Sequence, residues 1–255
     1  MKRKIHSSSV VEDDVKLGKG CIVEAFVLIR GQVQINQSCY FGPGCYIQGP
    51  ASIGKNVFFG ERTTVGFPNQ ELIRQFQKEK IRAPLFGMEP TTIGDGCIIR
   101  SGSVIYAGSQ IGNNVRMGHN VLIREQVTVG DESTVGTGVI IDGKTAIGNK
   151  VSIQSNVYIP WNTEIEDHVF LGPNCILTND KYVMRFPYKL KGPVIRSGAS
   201  VGAGAVIMPN LEIGAEAVIG AGAVVTKNVP AKTVVYGTPA QIRDTVPETW
   251  RKPLE

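Results

Sequence analysis

"VRMGHNVLIREQVTVGDESTVG", residues 115–136, is too rich in glycine and polar side chains for an ordinary buried strand, yet Met117, Ile123, Val129 and Val135 return at every sixth place. Counting in sixes from Met117 gives an unbroken apolar series from Ile93 to Leu177. The same beat precedes it from Leu17 to Val65 and follows it from Ile195 to Val225. An amphipathic helix has period 3.6 and a half-buried strand period 2, so neither accounts for a period of six.

A six-residue unit with one apolar anchor and a glycine-rich turn reads as a short strand and a tight corner. Three units close a triangular coil, and coils stacked at roughly 4.8 Å bury their anchors along a common axis. The thirty anchors fall into runs of nine, fifteen and six. They predict about ten coils and a stack roughly 50 Å long. The fourth residue after each anchor also faces inward and has to be small, as Val121, Val127, Ser133 and Val139 are. All five cysteines, Cys21, Cys39, Cys45, Cys97 and Cys175, fall on that position. They are expected as small core fillers. No CxxC pair marks a metal site, and a Cys21–Cys39 disulfide between coils is disfavoured in a reducing compartment.

The chain has 255 residues, 42% of them hydrophobic, enough for a substantial core. Its 27 basic and 22 acidic side chains leave a net charge of +5, which suits an anionic small molecule. No basic cluster alternates with aromatics, so nucleic acid is not an expected partner. "MKRKIHSSSVVEDD" at the start lacks an apolar run, and no long apolar stretch follows. A cytoplasmic chain without membrane insertion is the expectation.

Two stretches break the beat. Residues 66–90 contain "QELIRQFQKEKI", with helical spacing of Leu72, Phe76 and Ile81, and predict a loop carrying a short helix. Residues 178–193, with Arg185 near an anchor place and Pro187 beside it, read as an extruded loop. The organisation expected is a β-helix domain over 1–240 with loops at 66–90 and 178–193, then a C-terminal cap over 241–255. A short helix and Trp250 are expected to cover the open end there.

The repeat, over roughly residues 11–240, resembles the left-handed parallel β-helix acyltransferases of the hexapeptide-repeat family. "IRSGSVIYAG" (99–108), "AGSQIGNNVRMGHNVLIREQ" (107–126) and "TNDKY" (178–182) are similar to segments of nucleotide-sugar N-acyltransferases. "YGTPA" (236–240) looks like the hallmark beside the family's coenzyme A site. The resemblance implies an all-β, left-handed parallel β-helix of about ten triangular coils with two extruded loops and a short C-terminal cap. It also implies a homotrimer with sites between subunits. The activity implied is transfer of an acetyl or other short acyl group from acyl-CoA to the amino group of a nucleotide-linked amino-deoxysugar, with no metal.

Within that frame His119, two residues past the anchor Met117, is expected at an outward corner, where a neutral imidazole accepts a proton from an attacking amine. His6 precedes the resembling region, and His168 stands one place later in its unit. Asn120 and Asn156 occupy the same repeat position two coils apart and offer amides to an elongated substrate. Glu125 is a candidate to orient His119 or to bind a sugar hydroxyl, and Arg124 and Arg100 are candidates for pyrophosphate. Tyr106 is placed to stack on a base. Ala203 and Ala221 flank accessible backbone suited to pantetheine, and Lys227 is a candidate for a CoA phosphate. The alternatives are an O-acetyltransferase acting on a sugar or serine hydroxyl and a non-catalytic scaffold. A zinc hydratase is disfavoured because the three histidines lack a converging spacing.

Overall fold

The computed structural model describes residues 4–79 and 88–250. They form a nearly all-β parallel solenoid of about twelve turns. The sequence count of about ten coils falls short at both ends. Ile5 and Val11 already keep the beat: Lys4–Ile5 pairs with Ile22–Val23, and Val10–Val11 with Leu28–Ile29. At the other end the step from Val225 to the next inward valine shrinks to Val229, which bridges Ile213, and Val235 then lies beside Ile219. The shortened corner hides the last turn from counting in sixes.

The chain divides into two compact units, residues 1–127 and 128–255. In the N-terminal unit the first sheet runs Lys4–Ile5, Ile22–Val23, Tyr40–Phe41, Phe58–Phe59, Ile98–Ile99, Arg116–Met117. The second includes Leu28–Arg30, Tyr46–Gln48, Thr64–Phe67, Val104–Tyr106 and Leu122–Ile123, and the third runs from Lys16–Leu17 to Gln110–Ile111. The C-terminal unit repeats the three-sheet plan, with Thr134–Val135, Ile140–Ile141 and Thr128–Val129 opening its three sheets.

Each strand is only two to four residues long before the C-terminal hairpin, so it is held by the coils on either side rather than by its own length. Phe58 N–H donates to the Cys97 carbonyl at 2.9 Å and Gly60 N–H to Ile99 at 2.8 Å, the coil-to-coil pattern that repeats along the unit. Inside, Phe41 and Phe59 stack at 5.0 Å, and Ile99 is fully buried. Truncating Ile99 to alanine costs about 2–5 kcal/mol through lost burial and an unfilled cavity.

The corners explain the glycine content. Gly102 turns with φ 75°, a left-handed conformation that glycine enters without a side-chain penalty, and Asn120 takes the same place one coil on with φ 54°. Gly60 has a different reason: a Cβ there would stand 2.5 Å from the Ser101 backbone nitrogen. All five cysteines are free and buried at the small inward positions.

The helix expected in the first interruption runs Gln70–Glu79, started by Asn69, whose Oδ1 accepts the Leu72 N–H at 3.0 Å. Ile81 lies outside the described residues. Residues 178–193 contain no helix or strand. Asp180 accepts the N–H groups of Tyr182 and Met184, each at 2.8 Å, and Tyr182 meets Phe186 and Tyr188 edge-on.

The C-terminal segment differs from the short helix expected. Gln241–Thr245 returns antiparallel to Thr233–Tyr236, and only Glu248–Trp250 makes a single 3-10 turn. Tyr236 pairs with Gln241, so "YGTPA" leads through the turn of this hairpin, and the Ala240 N–H ties it to the Val224 carbonyl at 2.8 Å. Trp250 is 59% exposed, while Val246 is buried. The edge of the last strand is covered by backbone pairing rather than by the indole.

Candidate functional site

Met117 fills the core of the N-terminal unit, Gly118 is buried behind it, and His119 emerges exposed at the corner. Because Phe59 pairs with Ile99 and Ile99 with Met117, the residues two places on, Glu61, Ser101 and His119, share that corner in three successive coils. The backbone fixes the stack: Gly102 N–H donates to the Glu61 carbonyl at 2.9 Å, and Asn120 N–H to the Ser101 carbonyl at 3.0 Å. The Ser101 hydroxyl donates to Glu61 Oε2. That bond is the chief reason the Glu61 carboxyl titrates below its usual range, with its own backbone N–H and the charges of Arg62 and His119 acting the same way.

Glu61 escaped the sequence reading because the 66–90 insertion separates it from His119 in the chain. The signal was present: it stands two places after the anchor Phe59, as His119 does after Met117.

Arg100 is exposed at the end of the strand that leads into Ser101. Asn120 is exposed too, and its carboxamide oxygen lies over Gly102, where a Cβ would collide. This asparagine therefore helps stack the corners as well as facing solvent.

Tyr106, Arg124 and Glu125 gather at the next corner of the coil. The Arg124 guanidinium carbon is 5.2 Å from the centre of the Tyr106 ring, and Phe67 packs on the same ring at 5.0 Å. Arg124 also donates from Nε and Nη2 to the two carboxylate oxygens of Glu125, at 3.0 and 3.1 Å. A phosphate entering here has to compete with that carboxylate. Glu61 is the carboxylate that shares a corner with His119, whereas Glu125 follows Ile123 on the second sheet.

In the C-terminal unit Asn156 repeats the Asn120 geometry: exposed, φ 58°, its carboxamide oxygen over Gly138. Ala203 and Ala221 are exposed at one corner in adjacent coils, tied by Gly222 N–H donating to the Ala203 carbonyl at 2.9 Å. A Cβ on Gly204 or Gly222 would meet nothing within 4 Å, which leaves the backbone of this corner open to an extended ligand. Lys227, also exposed, is at the following corner of the coil that carries Ala221. Among the described residues no three His, Cys, Asp or Glu side chains gather as metal ligands would.

Two repeat descriptions match the chain: the bacterial transferase hexapeptide (six repeats) at residues 90–125 and 192–227, and the hexapeptide repeat of succinyl-transferase at 50–68 and 110–143. It is a hexapeptide-repeat protein. The matches include the His119 corner and both alanine turns. This hexapeptide-repeat protein is 46% identical over 50 residues to a serine acetyltransferase of Buchnera aphidicola, covering 20% of this chain and 18% of that protein. It is 26% identical over 85 residues to the galactoside O-acetyltransferase of Lactococcus lactis, covering 31% of this chain and 41% of the relative. The likeness therefore spans less than half of either curated relative. The solved structure of Arabidopsis UDP-N-acetylglucosamine acyltransferase superposes with a TM-score of 0.64 at 19% identity, over 95% of this chain and 74% of that one. At that identity it is the solenoid that the two have in common.

Proposed function

We propose that this protein transfers an acetyl or other short acyl group from acyl-CoA to the amino group of a nucleotide-linked amino-deoxysugar. The observation that carries the reading is an exposed imidazole, His119, raised on a rigid corner beside a carboxylate-bound hydroxyl, in a hexapeptide repeat whose curated relatives are named acetyltransferases. The acceptor amine attacks the thioester carbonyl, a tetrahedral oxyanion forms, the carbon–sulfur bond breaks and CoA leaves as thiolate. His119 takes the proton that the amine sheds and returns it to the thiolate. Asn120, Arg100 and Asn156 serve as polar contacts to the acceptor, Tyr106 as a stacking face for its base and Arg124 with Glu125 as a charged pair for diphosphate and sugar. Ala203, Ala221 and Lys227 take the CoA arm and its phosphate.

The active assembly in this reading is a homotrimer in the cytoplasm. Two outer faces of the N-terminal unit, meeting at the His119 corner, are mostly apolar: Ile22, Tyr40, Phe58 and Ile98 run between Lys4 and Arg116 on one, and Leu28, Tyr46, Val104 and Leu122 flank the single Thr64 on the other. The third carries Lys16, Gln34, Ser52, Thr92 and Gln110 in register. Two adjacent sticky faces and one polar face favour a closed ring in which one face of each copy meets the other face of the next. A mass of one chain, 27.5 kDa, persisting at high concentration contradicts that assembly.

The deciding experiment is a matrix of nucleotide-amino-sugars, matching nucleotide-sugars without the amine, free serine and galactosides against acyl-CoAs, read by mass spectrometry. Acylation confined to the amino sugars is expected. A hydroxyl acceptor is the second reading, favoured by the names of the two curated relatives and by the carboxylate near His119, since a hydroxyl needs stronger activation than an amine.

A further inference from the structure

We propose that Glu61 and Ser101 are the positioning pair of His119, holding its ring and stabilising the imidazolium that forms as it takes up the acceptor's proton. This rests on the reading of His119 as a base. The geometry is that of the solenoid itself: three side chains on one corner, one per coil, with strand pairing on both sides of Ser101 setting their spacing. Each step is roughly 4.8 Å, so Glu61 and His119 flank Ser101 at roughly 10 Å or less across the corner.

The Ser101 hydroxyl has its hydrogen committed to Glu61. Towards the next coil it therefore offers lone pairs and no donor. An N–H of the ring can donate to those lone pairs in the neutral tautomer as in the imidazolium, so the hydroxyl fixes the ring's orientation and tautomer and leaves the other nitrogen to take the proton. The carboxylate favours that uptake: Glu61, bound to the Ser101 hydroxyl on the same corner, places a negative charge near the positive charge that the ring acquires.

The other charges on and around this corner of the unit oppose the change. Arg62 follows Glu61, Arg100 precedes Ser101, and Arg116 stands on the strand that leads to His119. Glu24, at the end of the Ile22–Val23 strand on the same side, adds a more distant carboxylate. Three guanidinium groups disfavour a further positive charge, and Glu61 is the anion placed to offset them during proton transfer. Glu125 is engaged with Arg124 at the next corner.

The test uses the full chain with Glu61→Gln, Glu61→Asp and Ser101→Ala, each checked for an unchanged melting profile. Proton uptake by the His119 ring, followed by NMR without substrate, is expected to weaken roughly two- to fivefold in Glu61→Gln. The loss should shrink in 1 M salt, be smaller in Ser101→Ala, and be largely restored in Glu61→Asp. In acyl transfer, kcat should fall with KM little changed, and the acidic limb of the pH profile should move with the ring titration. A folded Glu61→Gln protein whose His119 ring titrates as in the wild type overturns the proposal. If the ring responds as expected but no amine or hydroxyl is acylated, the pairing stands and the assignment of His119 as a catalytic base falls.

Discussion

Arg124 closes a two-point ion pair on its sequence neighbour Glu125, with nitrogen–oxygen distances of 3.0 and 3.1 Å, while its guanidinium carbon stands 5.2 Å from the centre of the Tyr106 ring. The planar fork that suits a diphosphate is thus held against an aromatic face by a carboxylate that such a ligand would have to displace.

If Arg124 receives the diphosphate, removing its competitor strengthens binding. Glu125→Ala should lower the Kd for a nucleoside diphosphate roughly two- to tenfold, and Arg124→Ala should raise it, both measured by calorimetry at low salt. Weaker binding of a nucleotide-sugar to Glu125→Ala, with the bare nucleoside diphosphate unaffected, would instead make Glu125 a contact to the sugar.

His119→Asn keeps a polar side chain at the corner and leaves the buried Met117 untouched. Melting temperature and both ligand affinities should hold, while the acyl-transfer rate falls roughly 10²–10⁴-fold. Single-turnover measurement separates this from slow product release, and an unchanged chemical rate assigns His119 to holding the acceptor only.

Lys227→Glu should weaken acyl-CoA binding and spare the acceptor. The loss should be smaller for a dephosphorylated CoA and should diminish as salt rises, because an exposed charge acts through a screened field. Titration of both cofactors at two ionic strengths checks this.

In the C-terminal unit Arg196 holds two carboxylates, Glu166 at 2.7 Å and Glu212 at 2.9 Å. Burial acts to raise the Glu166 carboxyl, but the Arg196 guanidinium and the Ser197 N–H and hydroxyl outweigh it and leave it below the ordinary 4.5. Glu212 is lowered chiefly by its bond to Arg196. Groups depressed in the folded state contribute stability that is present above 4.5 and is lost as pH falls through their folded values. Arg196→Met should therefore lower the melting temperature at pH 7, and the gap from wild type should narrow in scanning calorimetry as pH drops below about 4.

Much of the solenoid was legible in the sequence because a buried stripe of period six admits few other folds: Met117, Ile123 and Val129 mark strands, and the residue two places on marks a corner. The ends were harder to read. Ile5 and Val11 keep the beat beyond the anchors counted, and the Val225-to-Val229 step loses two residues before Val235 resumes it. Its place after the last repeat makes Trp250 the expected cover of the open end, yet backbone pairing of Gln241–Thr245 covers the last strand edge.

The sequence by itself determined the repeat, the inward small positions of the five cysteines and the outward corner of His119, since each depends only on phase within a six-residue unit. The tertiary structure decided which corners share a side of the prism. Coil-to-coil register carries Glu61 across the 66–90 insertion to the column of Ser101 and His119, and it sets Arg124 and Glu125 on the next column with Tyr106. Side-chain neighbours along a solenoid axis come from strand pairing between coils, and an insertion of arbitrary length between two coils leaves that pairing intact while erasing it from the spacing of the sequence.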